Sequence, residues 1–306
     1  MTLKSLAGAA AALSLIGCAE DAGNGEPTAP ITTDVTAAAF LSCLEGKEAI
    51  VSAHRGGPAP GFPENAIETF ERTLSRVPAL IETDVRETSD GVLVLLHDET
   101  VDRTSDGSGD ISDLTLEEVK ALRLKDKDGR LTEFRIPTLD EALDAMRGKT
   151  ILQLDVKRGV SLRKVARAVV AKGAEGHAAI ITYSDNGAII AAQASPLLSV
   201  IASVDNSAHL ADLERRGLPK GRLVAWTGLI ENPNAALYRV LGEKDVSTSG
   251  GAIGRLDRRA AAGERGLYAG LEDAGLDVIA TDRPVEAARE IGASQTAAAI
   301  RSCASS

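Results

Sequence analysis

Short apolar runs rich in β-formers recur along the chain at 49–53, 80–85, 92–96, 150–156, 179–183, 198–203, 222–226 and 277–281. Between most of them lie stretches with apolar residues at helical spacing, at 64–76, 138–146, 162–172, 186–194, 207–216 and 259–274. Such switching between compact apolar runs and a 3.6-residue period is the pattern of strands alternating with helices. Eight strands with interposed helices over about 260 residues predict an α/β fold, a (β/α)8 TIM barrel, rather than an open doubly wound sheet. The doubly wound alternative needs a glycine-rich loop opening a helix after the first strand. Gly56-Gly57 is instead followed by Pro58 and Pro60.

One connection breaks the alternation. The chain from Asp84 to Val92 is too short for a helix, and Asp90-Gly91 is a tight-turn pair. A two-residue hairpin there sets residue 84 opposite residue 97, and a short extended crossover would still leave both at the ends of neighbouring strands. Either geometry brings Asp84 and His97 together. The segment 98–136, rich in Asp, Gly, Ser and Lys, reads as an insertion after the third strand, with a short capped helix at Asp113-Leu114-Thr115-Leu116-Glu117-Glu118.

The ends of the chain carry different signals. Residues 1–17 join Lys4 to an uncharged apolar run at 6–16, too short to span a bilayer and read as a signal peptide. Leu15-Ile16-Gly17-Cys18 reads as a lipobox, which predicts cleavage before Cys18, a lipid anchor on its thiol, and an exported protein held at a bacterial membrane and facing the periplasm. The plainer alternative is a secretory signal with an incidental cysteine. Residues 18–37 have no hydrophobic period and read as a flexible tether, leaving 38–306 as one domain. Cys43 and Cys303 flank that domain, and barrel termini lie close together. A disulfide closing the domain and a pair of unpaired buried thiols are the two readings.

Charge narrows the chemistry. With 34 Lys and Arg against 44 Asp and Glu, the net charge is −10, which argues against nucleic-acid binding by counterion displacement. A small phosphate ester would need a local group of cations or a metal. Four Phe, three Tyr and one Trp are too few for aromatic cages or stacking grooves.

Barrel active sites lie at the C-terminal ends of the strands. The first run ends in His54-Arg55-Gly56, the second in Glu82-Thr83-Asp84, the third in His97-Asp98 and the fourth in Asp155-Val156-Lys157. Glu82 and Asp84, two apart on a strand, point to one face. With Asp155 they make an all-oxygen set suited to Mg²⁺ or Ca²⁺; the alternative is a pair of salt bridges to Arg55 and Lys157. His54 and His97 suit general acid and base work, and Arg55 and Lys157 would offset phosphate charge. His177 and His209 read as packing or capping residues.

Ala53-His54-Arg55-Gly56, Pro63-Glu64-Asn65, Glu82-Thr83-Asp84-Val85, Asp90-Gly91 and His97-Asp98 resemble, in order and spacing, the glycerophosphodiester phosphodiesterases. The resemblance continues through Asp102-Arg103-Thr104, Ile136-Pro137-Thr138-Leu139, Trp226-Thr227 and Thr281-Asp282-Arg283-Pro284, covering 49–290. Each motif alone is weak, but the ordered set is highly specific. It implies a TIM barrel with an inserted segment after the strand ending at His97, and a divalent metal, usually Ca²⁺ or Mg²⁺. It also implies His54 and His97 as the acid/base pair, Arg55 on the phosphate, and Glu82 and Asp84 on the metal. The family's third ligand is usually the Glu of a Glu-x-Lys motif; here Asp155-Val156-Lys157 stands in that place. Asn65-Ala66 stands where the family commonly has Asn-Thr. Trp226 either lines the alcohol pocket or packs at the barrel rim. The implied activity is metal-dependent hydrolysis of a glycerophosphodiester to glycerol 3-phosphate and an alcohol. Two alternatives stand beside it: a lysophospholipase D-like or phospholipase-like enzyme, and an inactive surface lipoprotein that binds phosphodiesters.

Overall fold

In the computed structural model, nine strands account for most of the apolar runs: β1 (Ile50–Ala53), β2 (Leu80–Glu87), β3 (Leu93–Leu95), β4 (Leu152–Val156), β5 (Ala178–Ile181), β6 (Ser199–Ser203), β7 (Leu223–Leu229), β8 (Thr248–Gly251) and β9 (Val278–Thr281). The structure describes residues 36–44, 49–292 and Cys303; the expected signal peptide, the lipobox and the tether up to residue 35 lie outside the described residues. β1 pairs in parallel with both β2 and β9, and the remaining pairings run β2–β4–β5–β6–β7–β8–β9, all parallel. The ring is therefore a closed eight-stranded (β/α)8 barrel. Parallel strands covered on both faces read as continuous apolar runs, as in β1, whose four residues are all buried.

The count of eight is right, but one expected member is wrong. The run at 92–96 supplies β3, which lies antiparallel on β2 outside the ring. The eighth barrel strand is β8, Thr-Ser-Gly-Gly, which has no large apolar residue. Its neighbours supply the missing volume. A Cβ on Gly250 would sit 2.3 Å from Cδ1 of Ile230, and one on Gly251 would sit 2.7 Å from Cδ2 of Leu229 and 3.0 Å from the Trp226 ring. The β2–β3 connection is a hairpin with three loop residues, 89–91, and Gly91 at φ 82°. Val85 stands opposite Leu95 and Leu96 N–H donates to the Asp84 carbonyl, so the register is one residue away from the expected 84–97 pairing. A one-residue slip reverses which side chains share a face, and His97 is not set against Asp84.

Helices α1 (Ala37–Leu44), α2 (Ile67–Leu74), α3 (Leu116–Ala121), α4 (Leu139–Met146), α5 (Leu162–Ala171), α6 (Asp185–Ala192), α7 (Ser207–Arg215), α8 (Ala235–Gly242), α9 (Arg255–Ala261), α10 (Leu267–Asp273) and α11 (Pro284–Glu290) complete the fold. Both α3 and α4 start in capping boxes, Thr115 with Glu118 and Thr138 with Glu141. α5 turns Val165, Ala166 and Val169 inward, the stripe that its periodicity predicts. The stretch at 259–274, expected as one helix, is split into α9 and α10 by Gly263 and Gly266, both at positive φ. The insertion has a small core of its own, in which Val101, Ile111, Val119, Leu124 and Ile136 pack against Val94 and Leu96.

α1 closes the N-terminal end of the barrel. Phe40, Leu41 and Leu44 pack on Ile50, Leu80, Ile151, Val224 and Val278, near the start of each strand, and Ala38 N–H donates to Ser199 Oγ. Cys43 on this helix is bonded to Cys303, with Cα atoms 5.7 Å apart and a sequence separation of 260. The cross-link restricts the unfolded chain across nearly the whole domain, a constraint typically worth about 2–4 kcal/mol. Cys43→Ser with Cys303→Ser is therefore expected to lower the melting temperature by about 5–15 °C, with the strand C-termini undisturbed because the bond lies at the opposite end of the barrel. Calorimetry of the native and double-substituted chains checks this, and an unchanged midpoint would refute it.

Candidate active site

The site begins with a strained bend. After β1 the chain passes through three consecutive residues at positive φ, Arg55 at 52°, Gly56 at 84° and Gly57 at 76°. Gly56 is required twice over, since a Cβ there would also lie 2.2 Å from the buried Phe70 ring. Arg55 has no glycine's freedom, and a left-handed non-glycine residue costs about 1 kcal/mol or more. Neighbouring contacts hold it: its N–H donates to Glu82 Oε2 at 2.8 Å and its carbonyl accepts from Asn65 N–H at 3.0 Å. The bend thereby ties His54 and Arg55 at the end of β1 to the acids at the end of β2.

Three carboxylates meet there. Asp84 and Asp155 are register partners on β2 and β4, and oxygens of Glu82, Asp84 and Asp155 lie within 4.8 Å of one another, all three residues buried. Burial first, and the charge of Asp84 second, push the Glu82 carboxyl up to about 8. Burial also opposes ionisation of Asp84, but the Lys157 ammonium, the hydrogen bonds from Lys157 and Asn65, and Arg55 together outweigh it and hold that carboxyl below its ordinary range. Asn65, at φ 58°, donates Nδ2–H to Asp84 Oδ2 at 2.7 Å while its Oδ1 accepts from the Thr83 hydroxyl and the Asp84 N–H. The salt bridges expected as the alternative to metal ligation are present. Lys157 Nζ is 2.7 Å from Asp84 and 2.6 Å from Asp155, and Arg55 Nε is 3.6 Å from Asp84.

Those cations do not complete the site. Arg55 is shared with Glu64, at 3.1 Å, which also takes Arg103, so the three clustered carboxylates have Lys157 and only part of Arg55 to neutralise them. Asp84 Oδ1, although at ion-pair distance from Lys157, accepts no directed hydrogen bond, and the buried Nε of Arg55 donates none. Three clustered carboxylates that their neighbouring cations only partly neutralise fit a hard divalent cation, and a guanidinium nitrogen without a hydrogen-bond acceptor beside them fits an anion. Glu82, Asp84 and Asp155 are the residues that would hold the cation.

Each histidine is oriented by an aspartate. His54 Nδ1 donates to Asp282 Oδ1 at 2.6 Å, which leaves Nε2 as its exchangeable position. Burial works against a charged His54, but Asp282 and Glu82 overcome it and raise its pKa above the ordinary value. Asp282 N–H in turn donates to the buried Asp257, which also accepts from the Thr281 and Tyr268 hydroxyls. His97 Nδ1 donates to Asp98 at 2.7 Å, and its carbonyl accepts from Arg86.

A cleft of about 230 Å³ joins part of this set. His54, Glu82 and Asp155 form its polar side, and Ile181, Trp226 and Leu229 lie among its apolar lining. Trp226, placed over Gly251, is thus a wall of the cleft. His97 is not among the cleft's lining residues; it is tied in through Asp98, Arg103 and Glu64. Tyr183 escaped notice in the sequence, yet its hydroxyl donates to both oxygens of Asp155 at 2.7 Å. The signal available was its position at the end of the fifth apolar run. Asp282 stood likewise at the end of the last run, without a role until its pairing with His54 was visible.

The profile of the glycerophosphoryl diester phosphodiesterase family matches residues 54–165. A crystal structure of a glycerophosphoryl diester phosphodiesterase from Parabacteroides distasonis superposes with a TM-score of 0.77 at 35% identity, covering 85% of this chain and 93% of that one. A glycerophosphodiester phosphodiesterase of Caldanaerobacter subterraneus is 44% identical over 115 residues, 37% of this chain and 47% of the relative, so the alignment spans less than half of that relative's length. A phosphodiesterase of Oleispira antarctica, solved in complex with the product sn-glycerol-3-phosphate, shares the fold at 21% identity and a TM-score of 0.62, covering 80% of this chain and 97% of that one. With 35% identity over 85% of its own length and 93% of a solved member's, the chain belongs to the glycerophosphoryl diester phosphodiesterase family.

Proposed function

We propose that the chain hydrolyses glycerophosphodiesters to glycerol 3-phosphate and an alcohol, with His54 and His97 as the acid/base pair. The observation that carries this reading is the convergence of an Asp-oriented His54, a guanidinium with an unsatisfied buried nitrogen, and three clustered carboxylates at one barrel mouth. Arg55 would hold the phosphate through a planar fork. Asp282 keeps the His54 proton on Nδ1, so Nε2 can accept a proton from the nucleophile or deliver one to the leaving alkoxide. Asp98 does the same for His97. A divalent ion on Glu82, Asp84 and Asp155, Ca²⁺ or Mg²⁺ by the chemistry of the donors, would supply charge stabilisation at the phosphoryl oxygens. Lys157, between two of those acids, then acts mainly in fixing them, with phosphate contact a secondary role.

The apolar rim favours a second substrate within the same chemistry. Tyr183 is 74% exposed and Leu229 67% exposed beside Trp226, a surface suited to the hydrocarbon of a lysophospholipid. Export and a lipid anchor at Cys18 belong to the same proposal and are supported by the Cys43–Cys303 disulfide, a bond that persists in oxidising compartments. No helix among the described residues is long and apolar enough to cross a membrane.

His54→Ala and His97→Ala are each expected to lower release of glycerol 3-phosphate from glycerophosphocholine by about 100-fold or more with circular dichroism unchanged. Near-native rates in both would overturn the mechanism, and a higher rate on lysophosphatidylcholine than on glycerophosphocholine would establish the second substrate. EDTA is expected to abolish activity, with Ca²⁺ or Mg²⁺ restoring it. Metal affinity should tighten as pH rises through about 8, because Glu82 must lose its proton to ligate, and Glu82→Gln should weaken binding. For the anchor, Cys18→Ser should move the protein from the membrane to the soluble fraction on cell fractionation; unchanged membrane retention would count against it.

A further inference from the structure

We propose that Arg103, on the inserted segment, is a positioning residue that sets both arms of the active site at once. This inference rests on the hydrolytic reading above. Its guanidinium meets two carboxylates. Nη1 and Nη2 donate to the two oxygens of Glu64 at 2.9 and 2.7 Å, and Nε donates to Asp98 Oδ2 at 2.6 Å. Each acid holds one working residue. Glu64 accepts from Arg55 Nη1 at 3.1 and 3.2 Å, and Asp98 Oδ1 accepts from His97 Nδ1 at 2.7 Å. The line Arg55–Glu64–Arg103–Asp98–His97 therefore joins the end of β1 to the segment following β3.

The geometry needs an arginine. All three kinds of guanidinium nitrogen are used, a fork to one acid and a single bond to the other, and an ammonium offers no planar equivalent. Arg103 also divides the attention of Glu64. While both Glu64 oxygens are bonded to Arg103, Arg55 receives only the longer contacts, and its buried Nε, 3.6 Å from Asp84, donates no hydrogen bond. Without Arg103, Glu64 would close on Arg55 and draw the guanidinium from the phosphate, raising KM. Asp98 would lose its fixed point and His97 its orientation, lowering kcat. The side chain is 50% exposed, so its loss leaves no cavity in the core and its place is open to a small ion from solvent.

Steady-state kinetics of Arg103→Gln, Arg103→Lys and Arg103→Ala on glycerophosphocholine test the clamp. Arg123→Gln serves as a control, since Arg123 pairs with Asp106 and Glu133 in the same insertion. Arg103→Gln should lose about 10- to 100-fold in kcat/KM, divided between a higher KM and a lower kcat. Arg103→Lys should recover only a small part, added guanidinium should restore Arg103→Ala severalfold, and Arg123→Gln should match the native chain. A purely structural role gives no guanidinium rescue and equal losses in all three variants, and that result overturns the proposal, as does a rate within about twofold of native for Arg103→Gln. If the native chain itself releases no product, hydrolysis falls separately. The clamp is then judged by calorimetric binding of sn-glycerol 3-phosphate, where weaker binding by Arg103→Gln supports it and equal binding overturns it.

Discussion

Three buried carboxylates on two adjacent barrel strands are the constraint around which the mouth of this protein is built. Glu82, Asp84 and Asp155 sit closer together than ionised acids in a dry site tolerate alone, and the burden shows in Glu82, pushed up to about 8. Much of the surrounding structure offsets that repulsion. Lys157 bridges two of the acids, Asn65 and Tyr183 donate to them, and the backbone of Arg55 is bent into a left-handed conformation that gives its N–H to the third. Removing Lys157 would leave Asp84 and Asp155 buried without the cation they share, which is far costlier than the net worth of the pair itself.

Stability and chemistry are kept at opposite ends of the barrel. The floor is apolar and cross-linked, with α1 packed across the strand starts and bonded to Cys303. The mouth is charged, with a strained bend and orphaned polar atoms. Strain and unsatisfied groups are tolerable there because the closed ladder of eight strands and the packed floor hold the strand ends in place. The insertion contributes to both, burying a small core of its own and sending Arg103 to the acids that hold Arg55 and His97.

The strand ends were legible because each closed a compact apolar run, and reading the last residues of each run and the one just past it picked out His54, Glu82, Asp84, Asp155 and Lys157. β8 was not legible, since Gly250 and Gly251 make way for Ile230, Leu229 and Trp226, and its bulk therefore comes from residues in β7 and just beyond it. The hairpin at Asp90-Gly91 was visible as a turn, but the third loop residue that moved His97 away from Asp84 was not, because loop length there is decided by the hydrogen bonds of Thr88 and Gly91. One helix became two at Gly263 and Gly266, which periodicity alone passes over.

Local chemistry written in the chain thus determined the barrel, the ends at which its chemistry lies, and the residue types gathered there, because apolar periodicity and strand alternation are properties of neighbouring residues. Tertiary structure alone decided who partners whom: Asp282 with His54 across 228 residues, Tyr183 with Asp155, and Arg103 between Glu64 and Asp98. Hydrogen bonds and ion pairs act over a few ångströms of space regardless of sequence distance, so their partners exist only once the ring has closed.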